Sequence, residues 1–125
     1  MREIKFRAWD NFNNKIYSHM ELLASNSYND ALNGHPQLML MQYTGLKDKN
    51  GQEIYEGDIA RGDNDSLLQV VWSDNHQWGC KVIKGGVLSK DLIFPLWHWD
   101  RCERNKFNQL EVIGNICENP ELLNG

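Results

Sequence analysis

Basic charge is in short supply in this 125-residue chain: 13 Lys and Arg face 17 Asp and Glu, a formal charge of −4. Sequence-independent binding to a phosphate backbone rests on Lys and Arg displacing counterions, so the balance disfavours nucleic acid as a partner, a local patch aside. Cysteine is scarce as well. Cys80, Cys102 and Cys117 are odd in number and widely spaced, which argues against a disulfide framework and fits a reducing cytoplasm. Long apolar runs are missing: the longest, Leu92 to Trp97, contains Pro95 and falls far short of the ~20 residues a spanning helix needs. The opening Met1-Arg2-Glu3-Ile4-Lys5-Phe6-Arg7 alternates charged with apolar side chains and lacks the apolar stretch of a signal peptide. These absences predict a cytoplasmic protein with no membrane partner.

What is present is ordinary for a folded domain. Apolar residues make up 41% of the chain and charged residues 24%, far from the composition of disorder, and the length suits one domain with one modest core. Five Trp, four Tyr and four Phe with only scattered Ala favour strands over helices.

Ile4, Phe6 and Ala8 alternate with Lys5, Arg7 and Trp9, the period of a strand with one apolar face. Asp10 to Asn14 reads as a hairpin loop leading into Lys15 to His19. Met20 to Asn33 is mixed and allows a short helix or an irregular crossing. A strand over Gln37 to Thr44 is expected to break at Gly45. Lys47-Asp48-Lys49-Asn50-Gly51 then predicts a reversal, with Asn-Gly supplying positive φ angles. Gln52 to Tyr55 runs back, Glu56-Gly57-Asp58 punctuates, and Ile59 to Arg61 opens another strand ahead of a turn at Gly62 to Asp65. Further strands fall at Leu67 to Trp72 and Trp78 to Ile83 about a turn at Ser73 to His76. After Gly85-Gly86, Val87 to Leu96 holds a strand or bent loop. Glu111 to Ile116 carries Gly114 at a bulge, and Asn119-Pro120-Glu121 starts a terminal helical turn. Short strands with frequent turns predict a mainly β fold, a sandwich or a small barrel.

No catalytic set emerges. His98 and Cys102 are spaced as two ligands on one helical face, but a zinc site needs about four ligands, so no metal or cofactor is expected. Asp63-Asn64-Asp65 resembles the start of a calcium loop, yet Leu68 and Asp74 stand where that loop needs Gly and Glu. Glu53, Glu56 and Asp58 are expected to face solvent around a turn, without the contrasting environments of an acid and a base. Trp72, Trp78, Trp97 and Trp99, near Lys81, Lys84, Arg101 and Arg104, combine stacking surfaces with cations as single-strand nucleic-acid sites do. The same tryptophans would equally fill a small core or a subunit contact.

Several stretches resemble the YopX family of phage and prophage proteins. Arg2-Glu3-Ile4-Lys5-Phe6-Arg7-Ala8-Trp9-Asp10 is similar to the family's opening. Met41 to Asp48 followed by Asn50-Gly51 and Ile54-Tyr55-Glu56-Gly57-Asp58-Ile59 is similar to its central signature. Glu111 to Ile116 and Glu118 to Leu123 are similar to its closing motif, with Cys117 where an aromatic is expected. The resemblance implies a mainly β fold, a small SH3-type barrel-like domain with an N-terminal β-hairpin and little helix, and no established activity. On this reading residues 1–125 form one domain, with the hairpin region at about 1–40 and the barrel-like region at about 41–125. The expected role is a non-enzymatic phage accessory module that binds a phage or host protein or a second copy of itself, with single-stranded nucleic acid as the alternative and a small hydrolase or nuclease behind both. Within the signature, turn geometry accounts for the glycines and Asx residues but not for Tyr43, Tyr55 and Glu56. These three, with Trp72, Trp78, Lys81, Trp97, Trp99 and Arg101, are the candidate binding residues.

Overall fold

A computed structural model describes residues 4–24, 38–62, 66–73, 77–84, 90–95 and 110–124. Their elements are β1 (Phe6–Asp10), β2 (Lys15–Tyr17), α1 (His19–Ala24), β3 (Leu38–Lys47), β4 (Glu53–Tyr55), β5 (Asp58–Arg61), β6 (Leu67–Ser73), β7 (Gln77–Lys84), β8 (Ile93–Pro95), β9 (Glu111–Asn115) and a 3-10 helix at Pro120–Asn124. The protein is mainly β, with one short α-helix among the described residues and two sheets, ordered β2-β1-β3-β4 and β8-β7-β6-β5-β9. It divides into two compact units, Met1–Tyr43 and Thr44–Gly125, with the boundary inside β3.

In the first unit, β1 pairs antiparallel with β2, Trp9 opposite Ile16, and with β3, Trp9 opposite Met39. The expected N-terminal hairpin is present, and Asp10 builds its loop. One carboxyl oxygen accepts the backbone N–H groups of Phe12 at 2.8 Å and Asn13 at 3.0 Å, while Asn14 takes φ 52°. The short helix allowed after Met20 starts earlier, at His19, behind a reciprocal cap. The Ser18 hydroxyl accepts the Glu21 N–H at 3.2 Å and the Glu21 carboxylate accepts the Ser18 N–H at 3.0 Å. The helix buries Leu22, which like Ala8 of β1 is 0% exposed.

The second unit contains a five-stranded sheet curled as a half-barrel. Pleating sends alternate side chains to opposite faces, and both faces are covered. One holds Ile54, Ala60, Leu68, Val70, Cys80, Val82 and Leu110, flanked by Trp78 and Phe94. The other holds Ile59, Leu67 and Ile83 against Ile113, Ile116, Leu122 and Leu123 of the C-terminal segment. The bulge anticipated near Gly114 occurs: Ile59 pairs with Gly114 and Ala60 with Val112, which leaves Ile113 as the extra residue.

Two expectations are corrected. Gly45 does not end its strand. β3 continues to Lys47 with Gly45 at φ 92°, because the Thr44 hydroxyl accepts the Leu46 N–H at 3.2 Å and donates to the Ile54 carbonyl at 2.8 Å. Asp58 does not face solvent. It is 1% exposed and accepts the Tyr55 N–H at 2.8 Å, closing the turn from inside. The Asp63–Asp65 and Gly85-Gly86 turns, residues 74–76 of the Ser73–His76 turn, and His98 and Cys102 lie outside the described residues.

Candidate functional site

The signature segment is held by carboxylates and glycines at its turns. Asp48, 4% exposed, accepts the N–H groups of Asn50 at 2.8 Å and Gln52 at 2.9 Å on one oxygen and that of Val112 at 2.9 Å on the other. Asp48 and Gln52 also share a backbone hydrogen bond of 2.8 Å, and the Gly51 N–H donates to the Asp48 carbonyl at 2.9 Å. Only Gly51 of the Asn-Gly pair takes positive φ, 83°. The reversal is therefore a three-residue loop with the bulge-forming glycine in third place, rather than the two-residue turn in which both central residues need positive φ. Gly57, at φ 88°, donates its N–H to Val70 and accepts the Ile116 N–H at its carbonyl, both at 2.9 Å, and so joins β6 to the end of β9.

The two signature tyrosines are interior side chains. Tyr43 is 6% exposed with the Lys5 ammonium 5.0 Å from its ring centre, and Tyr55 is 8% exposed with its hydroxyl donating to Glu53 at 3.3 Å. Glu56 is half-buried. With their rings buried, Tyr43 and Tyr55 offer little surface to a partner.

The second unit offers a better surface at the far end of β6 and β7. Trp72 and Trp78 are cross-strand partners whose ring centroids lie 4.9 Å apart at an interplanar angle of 76°, an edge-to-face contact. Register places both on the face shared by Val70 and Cys80. Trp78 packs against that core, while Trp72 is 52% exposed. The inner ring thus fixes the outer one. Lys81 is not part of this surface. It pairs with Gln69 on the opposite face, its ammonium 3.7 Å from Asp91, beside a groove of about 220 Å³ that Ile83, Lys90 and Leu123 also line. Trp97, Trp99 and Arg101 lie outside the described residues.

The local electrostatics are structural. Hydrogen bonds hold the Asp10 carboxyl below its ordinary value, the Asn13 N–H first and then the Asn13 side chain, Phe12 N–H and Tyr17 hydroxyl. The Ser18 N–H does the same for Glu21, with help from Lys15. Burial alone pushes the Cys80 thiol up, which removes the thiolate a nucleophile needs. Among the described residues, no group of three or more His, Cys, Asp or Glu is placed to hold a metal ion, and no helix is long and apolar enough to cross a membrane.

Sequence reasoning missed two anchors. Ser18-His19-Met20-Glu21 has the spacing of a capping box and was readable as one. Asn115 carried no such signal; its side-chain carbonyl accepts the N–H groups of Cys117 at 3.0 Å and Glu118 at 2.7 Å, and its amide donates to Glu118 at 2.8 Å.

No curated protein matches the chain. Its structure is similar to the crystal structure of protein EF1440 from Enterococcus faecalis, with a TM-score of 0.61 and 28% sequence identity over 98% of this chain and 99% of that one. The YopX protein family matches residues 5–124, and the chain belongs to that family.

Proposed function

We propose that the protein is a non-catalytic binding module that acts through protein–protein contacts, as an accessory protein of a phage or prophage working in the cytoplasm of a bacterial host. The observation that carries this reading is the Trp72–Trp78 pair, a half-exposed indole in edge-to-face contact with a second, partly buried indole that packs against the core. Large aromatic side chains that are rigid before contact lose little entropy on binding and dominate interface energetics. The phage setting rests on the family resemblance alone.

Protein is favoured over single-stranded nucleic acid because Lys81, the cation nearest in sequence to Trp78 on β7, stands on the other face and is engaged with Asp91. A stacking site for single strands needs cations along the same groove as its aromatic rings.

Light scattering over a concentration series tests self-association, and affinity capture from host and infected-host lysates tests a partner. The expected result is a species or a captured protein that is present with wild type and lost with Trp72→Ala. A strict monomer from which no Trp72-dependent partner is recovered overturns the reading. Micromolar binding of labelled oligonucleotides at low salt would replace it with the nucleic-acid alternative.

A further inference from the structure

Asn-Gly sequences are chemically labile. The glycine amide nitrogen, with no neighbouring Cβ to obstruct it, attacks the asparagine side-chain carbonyl carbon. A C–N bond forms, the bond to Nδ2 breaks, the amide proton is lost to base, and the side-chain nitrogen leaves as ammonia. Water then opens the resulting succinimide at either carbonyl, giving aspartate or isoaspartate, with no oxidant or cofactor required. Asparagine is one of the thermolabile residues for this reason. The chain contains three such pairs, Asn33-Gly34, Asn50-Gly51 and Asn124-Gly125, and the structure describes the surroundings of the central one.

Asn50 is exposed, so water and base reach it freely. The attacking nitrogen is not free. The Gly51 N–H donates to the Asp48 carbonyl at 2.9 Å, and the N–H groups on either side, of Asn50 and Gln52, both donate to one Asp48 carboxyl oxygen. Attack requires the Gly51 nitrogen to give up its proton and turn toward the Asn50 side chain, and either movement breaks this set of bonds. Asp48 is itself secured by the Val112 N–H across 64 positions of sequence.

We propose that Asn50-Gly51 is a conformation-gated modification site: the Asp48 hairpin keeps it inert, and opening of the hairpin commits it to deamidation. The isoaspartate product lengthens the main chain by one methylene inside a loop whose three N–H groups are matched to Asp48, so the product cannot rebuild the same turn. A reversible opening becomes a one-way change, and the rate of conversion follows the population of the open hairpin.

The experiment is peptide mapping by mass spectrometry of the full chain aged at mildly alkaline pH, with and without urea, together with hydrogen exchange of the Gly51 and Gln52 amides. Asn50 is expected to convert on the order of tenfold or more slowly in the native chain than in urea, with both amides protected. In urea all three Asn-Gly pairs should convert at similar rates. After partial ageing in urea and removal of denaturant, the refolded fraction separated by size exclusion should be depleted in isoaspartate at position 50 relative to the misfolded fraction. Equal native and urea rates at Asn50, or unprotected Gly51 and Gln52 amides, overturn the gating; isoaspartate equally abundant in both fractions overturns the one-way step.

Discussion

The Asp48 carboxyl group accepts the backbone N–H of Val112 at 2.9 Å, tying the loop after β3 to an edge strand 64 positions away. The adjoining pair repeats the link, the Lys49 N–H donating to the Leu110 carbonyl at 3.0 Å. The Asp48 side chain and the Lys49 backbone together tie the reversal after β3 to the start of β9. Asp48→Ala leaves the Val112 N–H without its acceptor and releases both loop N–H groups, at a cost of about 2–3 kcal/mol. Asp48→Asn keeps one oxygen but sets an amide donor against a donor, at a cost of about 1–2 kcal/mol. Urea unfolding midpoints measured at constant slope check both values.

That link marks where the sequence stops being readable. The alternation of Phe6 and Ala8 with Arg7 and Trp9 predicts β1, and the Asx-rich loop after it predicts the hairpin, because both signals act within a few residues. The polarity of Asp48 likewise predicts a turn, but its bond to Val112 depends on how the sheet closes. Tyr43 and Tyr55 looked available because no turn requires them; packing requires them instead, and burial by distant strands is invisible to local pattern. The separation of Trp78 from Lys81 was legible, since residues three apart on a strand point to opposite faces. The pairing of Trp72 with Trp78 depended on a register that the sequence around the turn leaves open.

Gly114 has a packing role that a double mutant isolates. A Cβ at this position would lie 2.5 Å from the Asn119 side-chain oxygen and 3.3 Å from Asn119 Cβ, and that oxygen accepts the Asn115 N–H at 3.2 Å. Gly114→Ala is expected to displace Asn119 and destabilise by about 1–2 kcal/mol. In an Asn119→Ala background the two closest atoms are gone and only the Cβ at 3.3 Å remains, so the added cost of Gly114→Ala should fall by at least half. Additive effects in the cycle would show that the two residues do not interact.

Acid sensitivity should centre in part on the first hairpin. The Asp10 carboxyl group titrates below its ordinary 3.8 in the folded chain, chiefly because it accepts the Asn13 N–H, with Asn13 Nδ2, Phe12 N–H and Tyr17 hydroxyl assisting. A folded value lower than the unfolded one stabilises above the unfolded value, and that contribution disappears as pH falls through the folded value. Unfolding curves collected between about pH 5 and pH 2 should therefore lose stability more steeply for wild type than for Asp10→Asn. A carboxyl carbon titration of Asp10 by NMR with its midpoint at or above 3.8 would contradict the assignment.

Trp72 and Trp78 should separate binding from folding. Trp78 packs against the core beside Cys80 and Val82, so Trp78→Ala is expected to remove about 3 kcal/mol or more of stability by leaving a cavity. Trp72 is 52% exposed, and its ring meets that of Trp78 edge to face. Its truncation forfeits an aromatic pair and part of a solvent-facing surface, at a cost of about 1 kcal/mol. Trp72→Phe keeps an aromatic ring in that place and should recover most of the lost stability. If the exposed indole is a contact residue, Trp72→Ala abolishes association under conditions where the variant is still fully folded, Trp72→Phe restores it only in part, and the folded fraction by circular dichroism is unchanged in both. A Trp72→Ala variant as destabilised as Trp78→Ala would move Trp72 into the core and leave the end of β6 and β7 without a contact surface.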